Sequence, residues 1–330
     1  MVPVTLYRFT ILLIAACLST CAFAAGPNIV FFLVDDYDKS ETSCYGGKVL
    51  TPNLDRLAAE GMRLDNMYMT STVCTPSRYT CLTGRYAGSS YSKVYRDLFP
   101  LGQQGLPAFN VALEHDGMNV GRVLSDNGYE TGFVGKYHVG DEHGLGNLGG
   151  NEIPKTVEYT EKIAKDVRKN QRVACKLIRE EGFSWAKNVY WNNVKEPLKG
   201  HNPEWTIDAA LEFIDQNKAK PFYLHYCTTL LHGPNKEWYR SLDKPLVTGA
   251  GMLSEPIGLM DRDSVMQRVR AAGLTEEAAG YTWMDDSLGL LLDRLDRHGI
   301  VKLRRSEIDG HFKVAISLPE MQPDFVSSNF

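Results

Sequence analysis

The chain has 330 residues, of which 43% are hydrophobic and 23% charged, so it can bury a sizeable core in one large α/β domain or two smaller ones. This composition argues against disorder over most of the chain. A formal net charge of −4 provides no general attraction to nucleic acid or to an acidic membrane surface, so neither is expected as a partner.

The first 25 residues have the pattern of a secretory signal peptide. An apolar run over residues 9–17 follows Arg8 and precedes Ala22-Phe23-Ala24, which predicts cleavage near Ala24 or Ala25. The run is short for a membrane span, so no permanent span is expected. We therefore expect an exported protein, in the periplasm, outside the cell or in the secretory pathway. Ile14-Ala15-Ala16-Cys17 also resembles a lipoprotein cleavage box, and a lipid anchor on Cys17 is the alternative.

Strand and helix patterns alternate along the rest of the chain. In order, we predict a buried strand over 28–34, helices over 54–60, 77–83 and 120–127, a strand over 131–134, a charged helical region over 155–182 that packs on the outside as an insertion, a helix over 205–216, a strand over 221–227 and a long helix over 275–298. This alternation predicts an α/β fold with a mainly parallel central sheet flanked by helices.

Polar residues follow the predicted strands at the points where the strands end. Asp35 and Asp36 come after the first strand, His138 after the second and His232 after the third. Ligand sites in parallel sheets lie beyond the carboxyl ends of the strands, so these side chains are candidates for one site. The two aspartates are good oxygen ligands for calcium or magnesium, although taken alone they are better explained as a solvated turn or a helix cap.

The segment Cys74-Thr75-Pro76-Ser77-Arg78 predicts a helix that begins at its cysteine. Pro76 suits a first turn, where its missing N–H costs nothing. Free N–H groups at a helix N-terminus favour an anion, and Arg78 would keep a positive charge nearby. Taken alone, Cys74 could be half of a disulfide, whereas its spacing from Cys81 does not fit a zinc site. The other cysteines after the signal peptide, Cys44, Cys81, Cys175 and Cys227, allow up to two disulfides.

Residues 74–85, Cys-Thr-Pro-Ser-Arg-Tyr-Thr-Cys-Leu-Thr-Gly-Arg, resemble the signature of type I sulfatases, the arylsulfatase-like branch of the alkaline phosphatase superfamily. Residues 27–30, 35–36, 45–47 and 51–58 resemble the N-terminus of that family in order and spacing. Gly135-Lys136-Tyr137-His138-Val139-Gly140 is similar to its Gly-Lys-Trp-His-Leu-Gly element, with Tyr137 in place of tryptophan. The histidine at 232, after the strand that begins Pro221-Phe222, has a counterpart in the family as well.

The resemblance implies that a formylglycine-generating enzyme oxidises Cys74 to formylglycine, whose hydrate is the nucleophile. It further implies that Asp35, Asp36 and residue 74 bind calcium, with magnesium as the alternative, and that Lys136, His138 and His232 contact the sulfate ester. In this scheme Arg78 stays close to the nucleophile, His138 acts as a base and His232 protonates the leaving alcohol. His225, inside a predicted strand, is expected to be a packed core histidine.

The resemblance covers residues 26–301, an N-terminal catalytic domain that is incomplete, and does not extend into residues 302–330. The tail contains no Ser-Asp-His-Gly or Ser-Asp-Asn-Gly element, no sulfate-binding lysine and no small C-terminal domain. Asp309 and His311 are expected in a solvated turn. Residues 313–317 could add a strand, but we expect the sheet to lack an inner strand.

The function expected from these features is hydrolysis of a sulfated small molecule or carbohydrate. One alternative is a truncated, catalytically inactive sulfatase-like protein, because the second half of the metal site is not recognisable. The other is a phosphate or phosphonate ester hydrolase of the same superfamily, since the anions are similar in shape.

Overall fold

The computed structural model describes residues 26–140, 161–193, 200–232, 238–243, 247–253 and 257–300, together with the backbone of residues 312–317. The predicted signal peptide, Cys17, Asp309 and His311 lie outside these ranges. Within the described part, none of the helices is both long enough and apolar enough to cross a membrane.

The order of elements follows the predicted alternation. The strands are β1 (Asn28–Leu33), β2 (Glu130–Lys136), β3 (Trp185–Tyr190), β4 (Phe222–Cys227), β5 (Val247–Thr248), β6 (Gly251–Met252) and β7 (Phe312–Ser317). The α-helices are α1 (Pro52–Glu60), α2 (Cys74–Thr83), α3 (Lys93–Leu98), α4 (Val120–Asp126), α5 (Glu161–Glu181), α6 (Pro203–Asn217), α7 (Trp238–Asp243), α8 (Arg262–Ala271) and α9 (Ala279–Arg297).

Five parallel strands form the central sheet in the order β3-β2-β4-β1-β7. β4 is buried along its whole length, as a strand covered on both faces should be. Residues 313–317 do add a strand, as the sequence allowed, and the expected gap in the sheet is filled, because β7 pairs in parallel with β1 from Asn28 opposite Phe312 to Leu33 opposite Ser317. β1 is therefore an inner strand with partners on both sides.

Helices cover both faces of the sheet, which confirms the predicted α/β class. On one face, Val30 and Phe32 of β1 join a core with residues of α6 and α9 such as Phe213 and Leu288. On the other face, Leu33 joins a second core that includes Tyr79 of α2. Alternate residues of a strand point to opposite faces, so β1 contributes to both cores.

Two parts of the sequence prediction need correction. The described part of the charged region, residues 161–181, is not an external insertion, because α5 packs on β3 and buries Ala174 and Ile178 in the second core. β3 itself is absent from the prediction, since Lys187 and Asn188 interrupt its apolar pattern. It lies at the edge of the sheet, where a strand needs less apolar surface.

None of the cysteines in the described part forms a disulfide. Cys44, Cys74, Cys81, Cys175 and Cys227 are all free thiols, although the sequence allowed up to two bridges among the four besides Cys74.

His225 is a core histidine, as its position within a predicted strand indicated. Its ring stacks on Phe31 and Phe133, and its Nδ1 lies 2.6 Å from the Tyr223 hydroxyl. Burial, with a smaller effect of the Arg78 charge, lowers the pKa of His225 from 6.5 to about 3. The imidazole is therefore neutral in the folded protein at neutral pH.

This burial predicts a loss of stability in mild acid. Below pH 6.5 the unfolded chain protonates His225 while the folded protein does not, so stability falls as the pH drops from 6.5 towards 3. For this one group the loss is about 2 kcal/mol between pH 7 and pH 5. Urea unfolding at the two pH values should show a smaller pH dependence for His225→Gln than for the wild type. An equal pH dependence would contradict the assignment.

Candidate active site

A cavity of about 230 Å³ opens at the carboxyl edge of the central sheet. Its lining brings together residues that the sequence places far apart, including Asp35, Asp36, Cys74, Arg78, Phe109 and His232. The carboxyl end of β1 supplies the two aspartates, and the start of α2 supplies Cys74 and Arg78. Lys136 is the last residue of β2 and contacts Asp35. His138 follows that strand and contacts Cys74, so both side chains lie at the same place.

Cys74 is the first residue of α2, as the position of Pro76 predicts. Val73 precedes the helix in an extended conformation and gives it no side-chain cap. The Cys74 Sγ lies 3.2 Å from Nδ1 of His138. The helix N-terminus, with its uncapped first turn, therefore holds the candidate nucleophile against an imidazole nitrogen.

Arg78, Lys136 and Asp35 form a buried charged cluster beside Cys74. The Lys136 Nζ donates to Asp35 Oδ2 at 2.5 Å, and Nη2 of Arg78 lies 3.3 Å from Asp35 Oδ1. Burial by itself would raise the pKa of Asp35, but the charges of Lys136, Arg78 and His232 outweigh this and hold it well below its usual value. The cluster thus contains two cations for one buried anion, which favours an added anion.

The Arg78 guanidinium has donor capacity left within the described part of the chain. Its Nη1 donates to the Lys136 carbonyl at 2.7 Å, and its Nη2 pairs with Asp35. Its Nε is buried without a hydrogen-bond partner among the described residues. Arg78 also lines the cavity, and a guanidinium is a suitable contact for an oxyanion.

Gly135 is the residue that allows β2 to deliver Lys136. The pairing of β2 with β3 shifts its register between Val134 and Gly135, and Gly135 has a φ of +86°. A Cβ at this position would lie 1.8 Å from the carbonyl oxygen of Cys227. Only glycine tolerates both the dihedral and the close approach, so the irregularity that orients Lys136 depends on this residue.

Two residues of the site have unusual backbone geometry. Asp36 and His138 both have a φ of 57°, in the left-handed region that residues other than glycine seldom adopt. Such conformations cost free energy and are common at functional sites. Burial, together with the charges of Lys136 and Arg78, lowers the pKa of His138 to about 3, so its imidazole is neutral.

His232 comes from a later part of the chain, the loop after β4, and lines the cavity. Its Nε2 is 3.2 Å from the side-chain nitrogen of Asn193, which follows β3. Asn193 and Phe109 are both missing from the sequence prediction. Neither belongs to a recognisable motif, and no local pattern in the sequence indicates that either residue reaches the site.

The described residues do not make a complete calcium or magnesium site. Both oxygens of Asp35 are occupied by Lys136 and Arg78, and Asp36 is exposed. Among the described residues, no group of three His, Cys, Asp or Glu side chains is arranged to hold a metal ion. Calcium takes six to eight oxygen ligands, so Asp35, Asp36 and residue 74 supply only part of that shell.

The parallel α/β sheet brings a helix N-terminus, two buried cations and two histidines together at its carboxyl edge, beside one cavity. The sequence model of the sulfatase family matches residues 27–302, and the chain belongs to that family. This confirms the resemblance to type I sulfatases of the alkaline phosphatase superfamily.

Similar proteins agree with this assignment. Human arylsulfatase D is 39% identical over 137 residues, which cover 40% of this chain and 22% of that protein. N-acetylglucosamine-6-O-sulfatase of Bacteroides thetaiotaomicron is 26% identical over 238 residues, 71% of this chain and 35% of that protein. The chain therefore spans only about a fifth to a third of the length of these relatives.

A solved structure shows the same fold. The sulfatase yidJ from Bacteroides fragilis has a TM-score of 0.56 and 22% identity, with 88% of this chain and 61% of that chain covered. At this level of identity the comparison supports the fold alone. It agrees with the predicted parallel sheet flanked by helices and with a chain that is shorter than its structural neighbours.

Proposed function

We propose that this protein hydrolyses sulfate esters with a formylglycine made from Cys74. The observation that supports this most directly is the position of Cys74 at the first residue of α2, with its Sγ 3.2 Å from His138 Nδ1. Arg78, the next turn along, is buried beside it and lines the same cavity. Family membership supports the reaction, and the geometry supports the choice of nucleophile.

In this proposal each side chain has a separate task. The hydrated aldehyde at position 74 would supply one hydroxyl to attack sulfur and a second to expel the sulfate by elimination, which regenerates the aldehyde. Arg78 and Lys136 neutralise the sulfate oxygens. His232 donates a proton to the alcohol oxygen as the S–O bond breaks, and His138 accepts the proton of the second hydroxyl.

The neutral state of His138 suits this task. A neutral imidazole can accept a hydrogen bond from residue 74, and its pKa of about 3 leaves it neutral before substrate binds. A bound sulfate would add negative charge close to the ring and raise that pKa, which would make His138 a better base in the complex.

The remaining assignments are part of the proposal. Asp35 and Asp36 would be two ligands of a calcium or magnesium ion, with other ligands from outside the described residues. Because the described residues do not complete the ligand shell of the ion, none of the proposed steps depends on it. We also propose that the protein is exported through the predicted signal peptide, is matured by a formylglycine-generating enzyme and acts on a sulfated small molecule or carbohydrate.

The decisive experiment combines maturation with turnover. The protein is produced with and without a formylglycine-generating enzyme, and the peptide that contains residue 74 is analysed by mass spectrometry. We expect the aldehyde and its hydrate only in the matured protein, and hydrolysis of an aryl sulfate only in the matured sample. An unconverted Cys74 would overturn the mechanism, converted protein without turnover would favour the inactive alternative, and a preference for an aryl phosphate would favour the phosphatase alternative.

A further inference from the structure

Phe109 is a large apolar side chain that lines the cavity and is nevertheless exposed. The residue is 70% exposed, and it shares the cavity lining with Cys74 and Arg78. An exposed aromatic ring at the mouth of a charged pocket keeps apolar area in contact with water. By contrast, phenylalanines in and beside the sheet, such as Phe133, Phe183 and Phe213, are buried in one of the two cores.

The loop that carries Phe109 holds the ring in a defined place. Next to the ring, the Ala108 N–H donates to Asn110 Oδ1 at 2.7 Å, and the Asn110 side-chain nitrogen donates to the Leu106 carbonyl at 3.3 Å. Further along, the Leu113 N–H donates to the Val139 carbonyl at 2.7 Å, which ties this loop to the one that contains His138. The loop is therefore organised before any substrate binds.

The Phe109 ring stacks on the imidazole of His138. Their centroids are 5.6 Å apart and their planes differ by 26°. His138 in turn contacts Cys74. The aromatic surface of Phe109 is therefore separated from the nucleophile position by a single side chain, that of His138.

From this geometry we infer that Phe109 is a specificity-determining residue, a platform for a ring in the alcohol part of the sulfate ester. This inference rests on the proposed function. An aryl group would stack on the exposed ring in an offset arrangement, and a pyranose would place its apolar face against it. The substrate class is then a sulfate ester of a ring-bearing alcohol, either an aryl sulfate or a sulfated sugar. A small alkyl sulfate lacks a surface that can use the platform.

The test measures binding so that it does not depend on turnover. Phenyl sulfate, glucosamine 6-sulfate and ethyl sulfate are titrated by calorimetry into the Cys74→Ala protein with and without Phe109→Ala. We expect Phe109→Ala to weaken binding of at least one ring ester about tenfold, and of ethyl sulfate by less than about twofold. Which ring ester responds identifies the aryl or the sugar source. Phe109→Trp should retain the preference, and Leu101→Ala, at a somewhat more exposed apolar position on the same loop, is the matched control.

Several results would overturn the inference. An equal loss for all three esters would mean that Phe109 acts by positioning His138 or the loop. No loss for either ring ester, or no measurable binding of any ester before Phe109 is replaced, would also overturn it. A protein that prefers ring esters in a Phe109-dependent way but has no turnover after maturation would overturn the proposed function and leave the binding inference standing.

Discussion

Replacing Cys74 by alanine is expected to abolish sulfate-ester hydrolysis by the matured protein. Alanine cannot be converted to an aldehyde, and the remaining groups of the site can bind the ester but have no nucleophile to offer. Removal of a covalent nucleophile lowers kcat by about a thousandfold or more. The measurement is the rate of aryl sulfate hydrolysis under saturating substrate, with thermal unfolding recorded to show that the variant is folded.

Cys81→Ala provides the matched control for this experiment. Cys81 is on the same helix and is a free thiol. Among the contacts of the described residues, His138 meets the sulfur of Cys74 and not that of Cys81. We expect its kcat within about threefold of the wild type, because nothing of the proposed chemistry is removed. Sulfate binding should survive in Cys74→Ala, since Arg78 and Lys136 remain. A Cys74→Ala protein that still turns over substrate would refute the nucleophile assignment.

Replacing Lys136 by methionine is expected to damage both stability and anion binding. The Lys136 side chain is fully buried and pairs with Asp35, whose carboxylate is almost fully buried too. Methionine keeps much of the volume and removes the charge, which leaves Asp35 with Arg78 as its remaining cationic contact. Breaking a buried ion pair from one side costs about 3 kcal/mol of unfolding free energy. Urea unfolding measures that loss.

Two further variants separate the charge effect from packing. Lys187→Met breaks a partly exposed pair with Glu212 and should cost less than about 1 kcal/mol. The double variant Lys136→Met with Asp35→Asn removes both members of the pair and leaves Arg78 as the remaining buried charge of the cluster, so it should lose less stability than the sum of the two single variants. If the losses of unfolding free energy in Lys136→Met and Asp35→Asn add up to the loss in the double variant, Lys136 and Asp35 are not coupled in the way the structure indicates. Sulfate affinity should stay low in the double variant, because Lys136 is absent from both.

The region of the nucleophile was largely predictable from sequence. Pro76 in the first turn predicts that the helix begins at residue 74, and the structure starts α2 there. The unbroken apolar run of residues 28–34 predicts a strand buried on both faces, which is how β1 lies. These features depend on interactions within a few residues, such as a proline in a first turn or apolar side chains on both faces of a strand, and local sequence reports such interactions directly.

Other features follow from tertiary packing. Asp285 of α9 accepts hydrogen bonds from the N–H groups of Asn53 and Leu54, so it caps α1 across 232 and 231 residues of sequence. β7 pairs with β1 although its own segment shows no family motif. No local pattern announces either contact, because each depends on which distant segment packs beside the other.

By itself the sequence determined the family, the α/β class, the start of α2 and the identities of the candidate nucleophile, cations and histidines. Only the tertiary structure decided that Lys136 pairs with Asp35 across 101 residues, that Asn193 reaches His232, and that Phe109 stacks on His138. The reason is physical: apolar periodicity, prolines and glycines act over one or two turns of chain, whereas contacts around a cavity depend on strand register and loop path, which many distant residues set together.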